Sequence, residues 1–197
     1  REFPGLVEPV RYELGDERSA REAVEQTVAV FGGLNAVVAN AGVWHGGLFT
    51  QVDMRAWSQV ITDNVLGTAQ LCRAALPELQ RGAGDRSLTI VSSVVGQIGG
   101  VGDSAYASAK AALLALTRTL AQESARRQVR VNAVAPGFVR TDMTAGLPAG
   151  AARRVLDQVL LGRPGEAAEV AAAIVFLALD ATYCTGTTLT VDGGWSL

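Results

Sequence analysis

The stretch SLTIVSSVVGQIGGVGDSAYASAKAALLALTRTLAQESARRQVRVNAVAPG, residues 87–137, decides the fold. It contains, in order, an apolar strand (87–93), a glycine-rich loop (96–102), a long helix (103–126) and a second apolar strand (129–135). Asp103 or Ser104 is the predicted N-cap of that helix. Two strands joined by a long helix pair in parallel, because parallel strands need an extended crossover connection.

The same alternation continues on both sides of this stretch. Further strands are predicted at 7–14, 35–39 and 187–191, and further helices at 19–31, 54–79, 151–161 and 167–179, with Pro77 stopping the helix at 54–79. Apolar strands alternating with helices predict an α/β fold with a parallel sheet that is covered on both faces. The length of 197 residues predicts a single domain spanning residues 1–197.

Composition excludes several classes of function. A formal net charge of −2 argues against binding to nucleic acid or to an anionic membrane surface. Cys72 and Cys184 provide no disulfide framework and no metal-ligand spacing, and His45 is the only histidine, so no metal site is predicted. The longest apolar run, at 170–179, is too short to span a bilayer, and a reducing cytoplasm is the predicted location.

Lys110 is the only lysine in a chain that has sixteen arginines, and it lies four residues after Tyr106. Residues i and i+4 share one face of a helix, about 6 Å apart. An ammonium beside a phenol favours phenolate and is predicted to lower the pKa of the tyrosine. Ser93 ends the preceding strand and could bond the same substrate oxygen, which suggests carbonyl or alcohol chemistry.

Each of these features also has a simpler explanation. A Tyr-Lys pair at this spacing is usually an exposed helix contact, and Asn64 within a helix usually faces solvent or a backbone carbonyl. Residues 100–105 fit the G-x-G-x-x-A form of a dinucleotide fingerprint. We reject that match, because Tyr106 follows at once and no acidic residue ends a strand about 20 residues further on.

The motifs together resemble the classical short-chain dehydrogenases/reductases. The matching residues are Asn40-Ala41-Gly42, Asn64, Ser93, Tyr106-x-x-x-Lys110, 131–137, 141–143 and 185–194. They occur in the family's order, and residues 92–96 and 136–143 are most similar to its 3-oxoacyl-acyl-carrier-protein reductase branch. The resemblance implies a Rossmann-like, doubly wound parallel sheet and an NAD(P)-dependent oxidoreductase.

The resemblance also implies the site residues. Tyr106 would be the general acid/base, Lys110 would lower its pKa and bond the nicotinamide ribose, Ser93 would polarise the substrate, and Asn64 would hold a proton-relay water. The implied cofactor-binding residues are Glu13, Leu14, Asn40, Ala41, Gly42, Tyr106, Lys110, Pro136, Gly137, Val139 and Thr141. Residues 142–162 would form a lid over the substrate. Glu13 departs from the family, which usually has aspartate at that position.

The family's first two βα units, with their glycine-rich pyrophosphate loop, have no counterpart in these residues. The strand predicted at 7–14 would then lack a neighbour on its inner edge. Together with the first residue, Arg1, this predicts that the chain is part of a longer protein. The residues that would distinguish NAD from NADP belong to the part without a counterpart.

The leading hypothesis is reduction of a 3-oxoacyl thioester or a related ketone of fatty acid or polyketide metabolism, with NADPH preferred over NADH. One alternative is a dehydrogenase of a sugar, a polyol or another small alcohol. An alternative of another class is an inactive scaffold or oligomerisation module. The resemblance also implies a homotetramer assembled through the helices at 54–79 and 103–126, whose leucines are Leu113, Leu114, Leu116 and Leu120.

Overall fold

The computed structural model describes residues 7–147 and 149–197. Its centre is a four-stranded sheet in the order β1-β2-β3-β6. The strands are β1 (Ala36–Ala39), β2 (Arg86–Val91), β3 (Val129–Pro136) and β6 (Thr188–Val191). All three pairings are parallel, with Ala36 opposite Ser87 and Ala133 opposite Thr188. The predicted α/β class with a parallel sheet is therefore confirmed.

Helices connect the strands and cover both faces of the sheet. They are α1 (Glu17–Phe31), α2 (Met54–Ile61), α3 (Gly67–Arg81), α4 (Val95–Ile98), α5 (Ser104–Ser124), α6 (Asp142–Ala145), α7 (Ala149–Leu156) and α8 (Ala167–Val175). A π-helical turn (Thr62–Leu66) joins α2 to α3, and another (Phe176–Asp180) extends α8. Two short strands, β4 (Val139–Arg140) and β5 (Gly165–Glu166), pair in parallel outside the main sheet.

The core has two halves because successive residues of β2 point to opposite faces. Leu88 and Ile90 are fully buried against α3 and α5, in a cluster that also holds Leu113. On the other face, the Ser87 hydroxyl donates to the Ala178 carbonyl oxygen at 2.7 Å. These contacts fix α3 and α5 on one side of β2 and the end of α8 on the other.

Residues 7–14, predicted as a strand, form none in the described structure. A strand needs a partner for its backbone groups, and within the part of the chain that the structure describes β1 pairs with β2 alone. The segment is held instead by side chains. The Tyr12 hydroxyl donates to the Gly67 carbonyl oxygen at 3.0 Å, and the Glu13 amide donates to the Ser19 hydroxyl at 2.8 Å.

Pro77 does not end the helix that the sequence predicts to stop there, since α3 continues to Arg81. An interior proline costs about 3 kcal/mol through its missing N–H and a clash with the preceding turn. Leu79, which follows Pro77, is fully buried, and burial of a leucine side chain returns a comparable free energy. Packing therefore outweighs the local preference of the proline.

The carboxyl ends of β1, β2 and β3 meet at one edge of the sheet, as parallel strands require. The segments that follow them are 40–42, 92–93 and 136–137, the three that the sequence places near a ligand. The first turn of α5 lies at the same edge. Within residues 7–147 and 149–197, no helix combines the length and the apolar character needed to cross a bilayer.

Candidate active site

Tyr106 and Ser93 face each other at this edge of the sheet. Tyr106 lies in the first turn of α5, and Ser93 follows β2 directly. The Ser93 hydroxyl lies near enough to the Tyr106 phenol to lower its pKa. Its contacts with the Pro136 carbonyl oxygen and the Val95 amide are both long, at 3.4 Å. Contacts of that length are weak, so the hydroxyl is available to a substrate oxygen.

Lys110 is buried one helical turn after Tyr106, with 3% of its surface exposed. Its Nζ lies over the phenol ring, 5.4 Å from the centroid, and donates to the Val91 carbonyl oxygen at 2.9 Å. The Ser92 hydroxyl donates to the Lys110 carbonyl oxygen at 2.8 Å. The end of β2 therefore fixes both the backbone and the ammonium group of this lysine.

Asn64 lies in the π-helical turn between α2 and α3 and is fully buried. Its Nδ2 donates to the carbonyl oxygens of Val43 and Val60, each at 2.8 Å. Its Oδ1 is buried and has no hydrogen-bond partner among the described residues. A Cβ added at Gly42 would lie 2.6 Å from this oxygen and 3.3 Å from Lys110 Nζ. Gly42 thus leaves open a small polar space between an unpaired acceptor and an ammonium donor.

The pKa of Tyr106 differs from the prediction made from the sequence. Burial raises it to about 12, the interaction with Ser93 lowers it in part, and the negative charge of Asp103 raises it further. The sequence predicts a lowered pKa because it places an ammonium beside the phenol. In the structure the ammonium lies over the ring and bonds a backbone carbonyl, while desolvation disfavours the phenolate. The prediction of a lowered pKa is therefore wrong.

The Lys110 ammonium is also affected by its surroundings. Burial lowers its pKa from 10.5 to about 8, because a desolvated ammonium loses hydration free energy. A pKa of about 8 leaves the amine mostly protonated at neutral pH. It can therefore act as a hydrogen-bond donor, and it can release a proton more readily than an exposed lysine.

The segment after β3 approaches the same edge. The Pro136 carbonyl oxygen accepts from the Val94 amide at 2.9 Å, which ties it to the residues after Ser93. A Cβ at Gly137 would lie 2.6 Å from Asp192 Cα, so this close contact with the loop after β6 requires glycine. Val139 lies in β4, and Thr141 caps α6. Four of the predicted cofactor-binding residues thus lie between the sheet edge and the segment predicted as a lid.

Glu13 and Leu14 lie beside the π-helical turn that carries Asn64. Leu14 and Gly15 pack against Gly67, where a Cβ would be 2.9 Å from the Gly15 nitrogen. Glu13 is exposed. Among the described residues, no hydrogen bond joins Glu13 or Leu14 to the segment 40–42, and Asn40 and Ala41 are exposed as well.

Comparison with known proteins identifies the family. Residues 2–196 match a family model described as enoyl-(acyl carrier protein) reductase. The 3-oxoacyl-acyl-carrier-protein reductase FabG of Thermotoga maritima is 39% identical over 195 residues, which are 98% of this chain and 78% of that protein. FabG of Escherichia coli is 39% identical over 180 residues, 91% of this chain and 73% of its own. This chain belongs to the short-chain dehydrogenase/reductase family.

A further relative has a different name. The 2,5-dichloro-2,5-cyclohexadiene-1,4-diol dehydrogenase LinX of Sphingobium indicum is 33% identical over 189 residues, 95% of this chain and 75% of that protein. Short-chain dehydrogenases/reductases are NAD(P)-dependent oxidoreductases, so the predicted enzyme class and the predicted nicotinamide cofactor are confirmed.

The residues of this short-chain dehydrogenase/reductase fit such a cofactor at its nicotinamide end. The space at Gly42 is lined by a buried donor, Lys110 Nζ, and by the unpaired acceptor, Asn64 Oδ1. Buried polar atoms without partners are rare in folded proteins and call for a hydroxyl group or a water. A ribose hydroxyl with a neighbouring water has the donor and acceptor groups that these two atoms need.

The cavity under the C-terminal loop is separate from this site. It has a volume of about 100 Å³ and is lined by Phe138, Leu161, Arg163, Gly165, Glu169, Val170, Val191, Asp192 and Gly193. Ser93, Tyr106 and Lys110 are not among its lining residues. Arg163 and Glu169 form a bidentate ion pair at its rim, with N–O distances of 2.9 and 2.8 Å.

Sequence reasoning missed two contacts of the site. Ser92 bonds the Lys110 backbone, whereas the sequence predicts it only as part of the strand at 87–93. Asp103, predicted only as a helix cap, accepts a hydrogen bond from the Trp44 indole. Trp44 and Asp103 are 59 residues apart in the chain, and no local pattern could have indicated that they meet.

Proposed function

We propose that this protein reduces the ketone of a 3-oxoacyl thioester, with Tyr106 as the general acid. The observation that carries the proposal is the convergence of Ser93, Tyr106, Lys110 and Asn64 at one edge of the sheet. The relatives named 3-oxoacyl-acyl-carrier-protein reductases support the substrate class, which would then be bound to an acyl carrier protein.

The proposed reaction needs one hydride and one proton. The hydride would come from a nicotinamide dinucleotide held by the residues named below, which would be oxidised as the carbonyl carbon is reduced. The Ser93 hydroxyl donates a hydrogen bond to the ketone oxygen, which stabilises the negative charge that develops there. Tyr106 transfers its phenol proton to this oxygen, and the product is an alcohol. A pKa of about 12 keeps Tyr106 protonated and ready for this step.

The phenolate left by this transfer must be protonated again. Lys110, whose pKa is about 8, can provide a proton near neutral pH. Asn64 Oδ1 faces the space next to Lys110 Nζ and can hold a water that returns the proton from solvent. The unpaired amide oxygen thus has a specific place in the reaction.

The cofactor is proposed to contact three groups of residues. Asn40, Ala41 and Gly42 would border the adenine ribose and the pyrophosphate, with Glu13 and Leu14 at the adenine. Pro136, Gly137, Val139 and Thr141 would hold the carboxamide, while Tyr106 and Lys110 would bond the nicotinamide ribose.

We propose NADPH as the preferred reductant. Parallel titrations of protein fluorescence with NADPH and NADH would test this, and tighter binding of NADH would contradict it.

A second candidate substrate is a small cyclic or linear alcohol, which the protein would oxidise. The relative named as a diol dehydrogenase favours it, at 33% identity. The same four residues serve both directions, because Tyr106 can accept the proton of an alcohol as well as donate one. The two candidates therefore differ in the substrate and not in the catalytic residues.

A single assay separates the two substrate classes. Nicotinamide absorbance is followed with an acetoacetyl thioester and NADPH, and in parallel with polyols and cyclic diols and the oxidised cofactors. We expect turnover of the thioester and much slower turnover of the alcohols. Turnover of the alcohols alone would replace the first candidate with the second. Binding of cofactor without any turnover would favour the inactive scaffold.

We also propose a homotetramer that uses the outer faces of α3 and α5. Leu113 and Leu114 are buried within the chain and cannot contribute to it. Leu76, Leu116 and Leu120 instead line a groove of about 280 Å³ between the two helices. The mass in solution, measured by light scattering, tests this proposal, since a monomer would have a mass near 20.5 kDa.

A further inference from the structure

Three hydrogen bonds hold the start of α5 from outside the helix. Trp44 Nε1 donates to Asp103 Oδ1 at 2.7 Å, and Trp57 Nε1 donates to the Ser104 hydroxyl at 3.1 Å. The Gly47 amide donates to the Gly102 carbonyl oxygen at 2.9 Å. The loop after β1 and helix α2 are therefore both attached to the turn that precedes Tyr106.

Asp103 occupies the N-cap position of α5 but does not use its side chain as a cap. No capping hydrogen bond from its carboxylate occurs in the described structure, although aspartate at this position usually bonds the amides of the first turn. The carboxylate turns to the Trp44 indole instead. It also lies close to Gly100, where a Cβ would be 2.6 Å from Asp103 Oδ2. Its position is thus fixed by an indole on one side and a glycine on the other.

The Trp44 ring is also held in close contact, in its case with the backbone of its own loop. A Cβ added at Gly46 would lie 2.4 Å from Trp44 Cζ2, so the ring rests on the backbone of its own loop. This loop begins at Gly42, beside Asn64 and Lys110, and reaches Asp103, three residues before Tyr106. One short loop therefore contacts the proton-relay side of the site and the start of the helix that carries Tyr106.

We propose that Trp44 and Asp103 form a clamp that positions Tyr106 for proton transfer, with Asp103 as a positioning residue for the phenol. This inference rests on the proposed acid/base function of Tyr106. The clamp joins the loop that lines the relay to the first turn of α5. Loss of the indole N–H would leave this loop joined to the turn only by the bond from the Gly47 amide to the Gly102 carbonyl oxygen, and the Asp103 carboxylate would no longer be held. A displacement of about 1 Å can lower a rate a hundredfold.

The charge of Asp103 has a separate effect that supports the proposal. Among the described residues, the charged groups near Tyr106 are Asp103, at the N-cap of α5, and Lys110, within α5, while Ser93 contributes a neutral hydroxyl from the segment after β2. Burial raises the pKa of Tyr106, and the Asp103 carboxylate raises it further. The carboxylate thus helps to keep the phenol protonated, which is the form that a reductase needs.

Three variants separate the hydrogen bond from the charge. Trp44→Phe keeps an aromatic ring and removes the N–H donor. Asp103→Asn keeps an oxygen acceptor for the indole and removes the charge. Glu123→Gln removes a charge from an exposed position on the same helix and is the control. Since Trp57 still ties α5 to α2, these variants should fold, and their melting temperatures verify it.

Two measurements are made on each variant. The first is kcat and KM for ketone reduction. The second is the pH titration of phenolate absorbance without cofactor, taken as a difference from Tyr106→Phe so that only this tyrosine is observed. We expect Trp44→Phe to lower kcat about tenfold or more with little change in KM. We expect Asp103→Asn, which keeps an oxygen acceptor for the indole, to lower kcat less than Trp44→Phe does and to ionise Tyr106 at lower pH than the wild type.

The outcomes test three things separately: the clamp, the effect of the Asp103 charge, and the proposed function of Tyr106. A wild-type kcat in Trp44→Phe overturns the clamp. An unchanged phenol titration in Asp103→Asn, or an equal shift in Glu123→Gln, overturns the role of the charge. If Tyr106→Phe itself reduces the ketone at the wild-type rate, the proposed function fails and the clamp fails with it. If Tyr106→Phe is inactive while Trp44→Phe is normal, only the clamp fails.

Discussion

Gly42 shows how a single residue can keep the candidate site open. A Cβ at this position would lie 2.6 Å from Asn64 Oδ1 and 3.3 Å from Lys110 Nζ. Real Cβ atoms do not approach an oxygen so closely, so Asn64 would have to move. The glycine is needed here for space, not for an unusual backbone conformation.

We therefore expect Gly42→Ala to lower kcat at least about tenfold, because it displaces the residue proposed to hold the relay water. Overpacking should also lower the free energy of unfolding by about 1–3 kcal/mol. Gly33→Ala is the matched control, since a Cβ there meets nothing within 4 Å. Steady-state kinetics and denaturant unfolding measure both effects. Equal kcat values for the two variants would contradict the proposed use of this space.

At the residue scale, the sequence predicts which side chains meet better than it predicts their electrostatics. The lone lysine and its spacing from Tyr106 identify a pair that does lie together. The spacing does not show that the ammonium bonds the Val91 carbonyl oxygen or that the phenol is desolvated. Both depend on how deeply α5 is buried, which only the tertiary structure determines.

At the scale of elements, close contact between α4 and α5 holds Lys110 in place. A Cβ at Gly96 would lie 2.8 Å from the Lys110 carbonyl carbon and the Ala111 nitrogen. Both are backbone atoms, so the two helices would have to separate to accept a methyl group. The backbone of the short helix α4 is thus in direct contact with the part of α5 that carries Lys110.

Two glycine-to-alanine changes in helices should have opposite effects on the free energy of unfolding. Gly96→Ala should lower it by about 1–3 kcal/mol through overpacking. Gly150→Ala, at an exposed position in the first turn of α7, should raise it by up to about 0.5–1 kcal/mol, because alanine loses less conformational entropy than glycine in a helix. The nearest atom to a Cβ at Gly150 is 3.9 Å away. Denaturant unfolding of both variants measures the difference, and a loss at Gly150 equal to that at Gly96 would argue against the close contact.

Most elements could be predicted from local patterns, and the failures have identifiable causes. Apolar periodicity placed β2, β3, α1 and α5 within a few residues of their observed ends. It failed at residues 7–14, which have no neighbouring strand among the described residues, and at Pro77, where burial of Leu79 outweighs a helix-breaking residue. It could not indicate β4 and β5, which have two residues each.

At the scale of the whole molecule, the buried Lys110 makes folding stability depend on pH. Its pKa is about 8 in the folded protein and 10.5 when exposed. Below pH 8 both states carry the charge, and the folded state bears the cost of burying it. Between these two values the folded state releases the proton first, so the cost disappears and the free energy of unfolding rises with pH.

The size of this rise can be measured against Lys110→Met. Between about pH 7 and about pH 9.5, the wild type should gain about 2 kcal/mol of unfolding free energy relative to this variant. At neutral pH, Lys110→Met should be the more stable of the two. Tyr106 has a raised pKa and titrates above this window, and it is present in both proteins, so it does not disturb the comparison. Parallel stability curves for the two proteins would show that the amine is not desolvated.

The parallel sheet is what brings the residues of the candidate site together. Four parallel strands bring segments from distant parts of the chain to one edge, where Ser93 and the start of α5 meet the turn that carries Asn64. The order of motifs along the sequence is sufficient to predict this meeting once a parallel sheet is assumed. The long-range contact between Trp44 and Asp103 is not encoded in any such order.

The most direct test of the central claim, that Tyr106 is the general acid, is the rate of ketone reduction by Tyr106→Phe. Removal of one hydroxyl should lower the rate by about 10²–10⁴. NADPH binding, measured by fluorescence, should weaken much less, since only one of the proposed ribose contacts is lost. Tyr183→Phe is the control. Because Tyr183 is fully exposed, this variant should reduce the acetoacetyl thioester at the wild-type rate. Equal rates for Tyr106→Phe and the wild type would contradict the account.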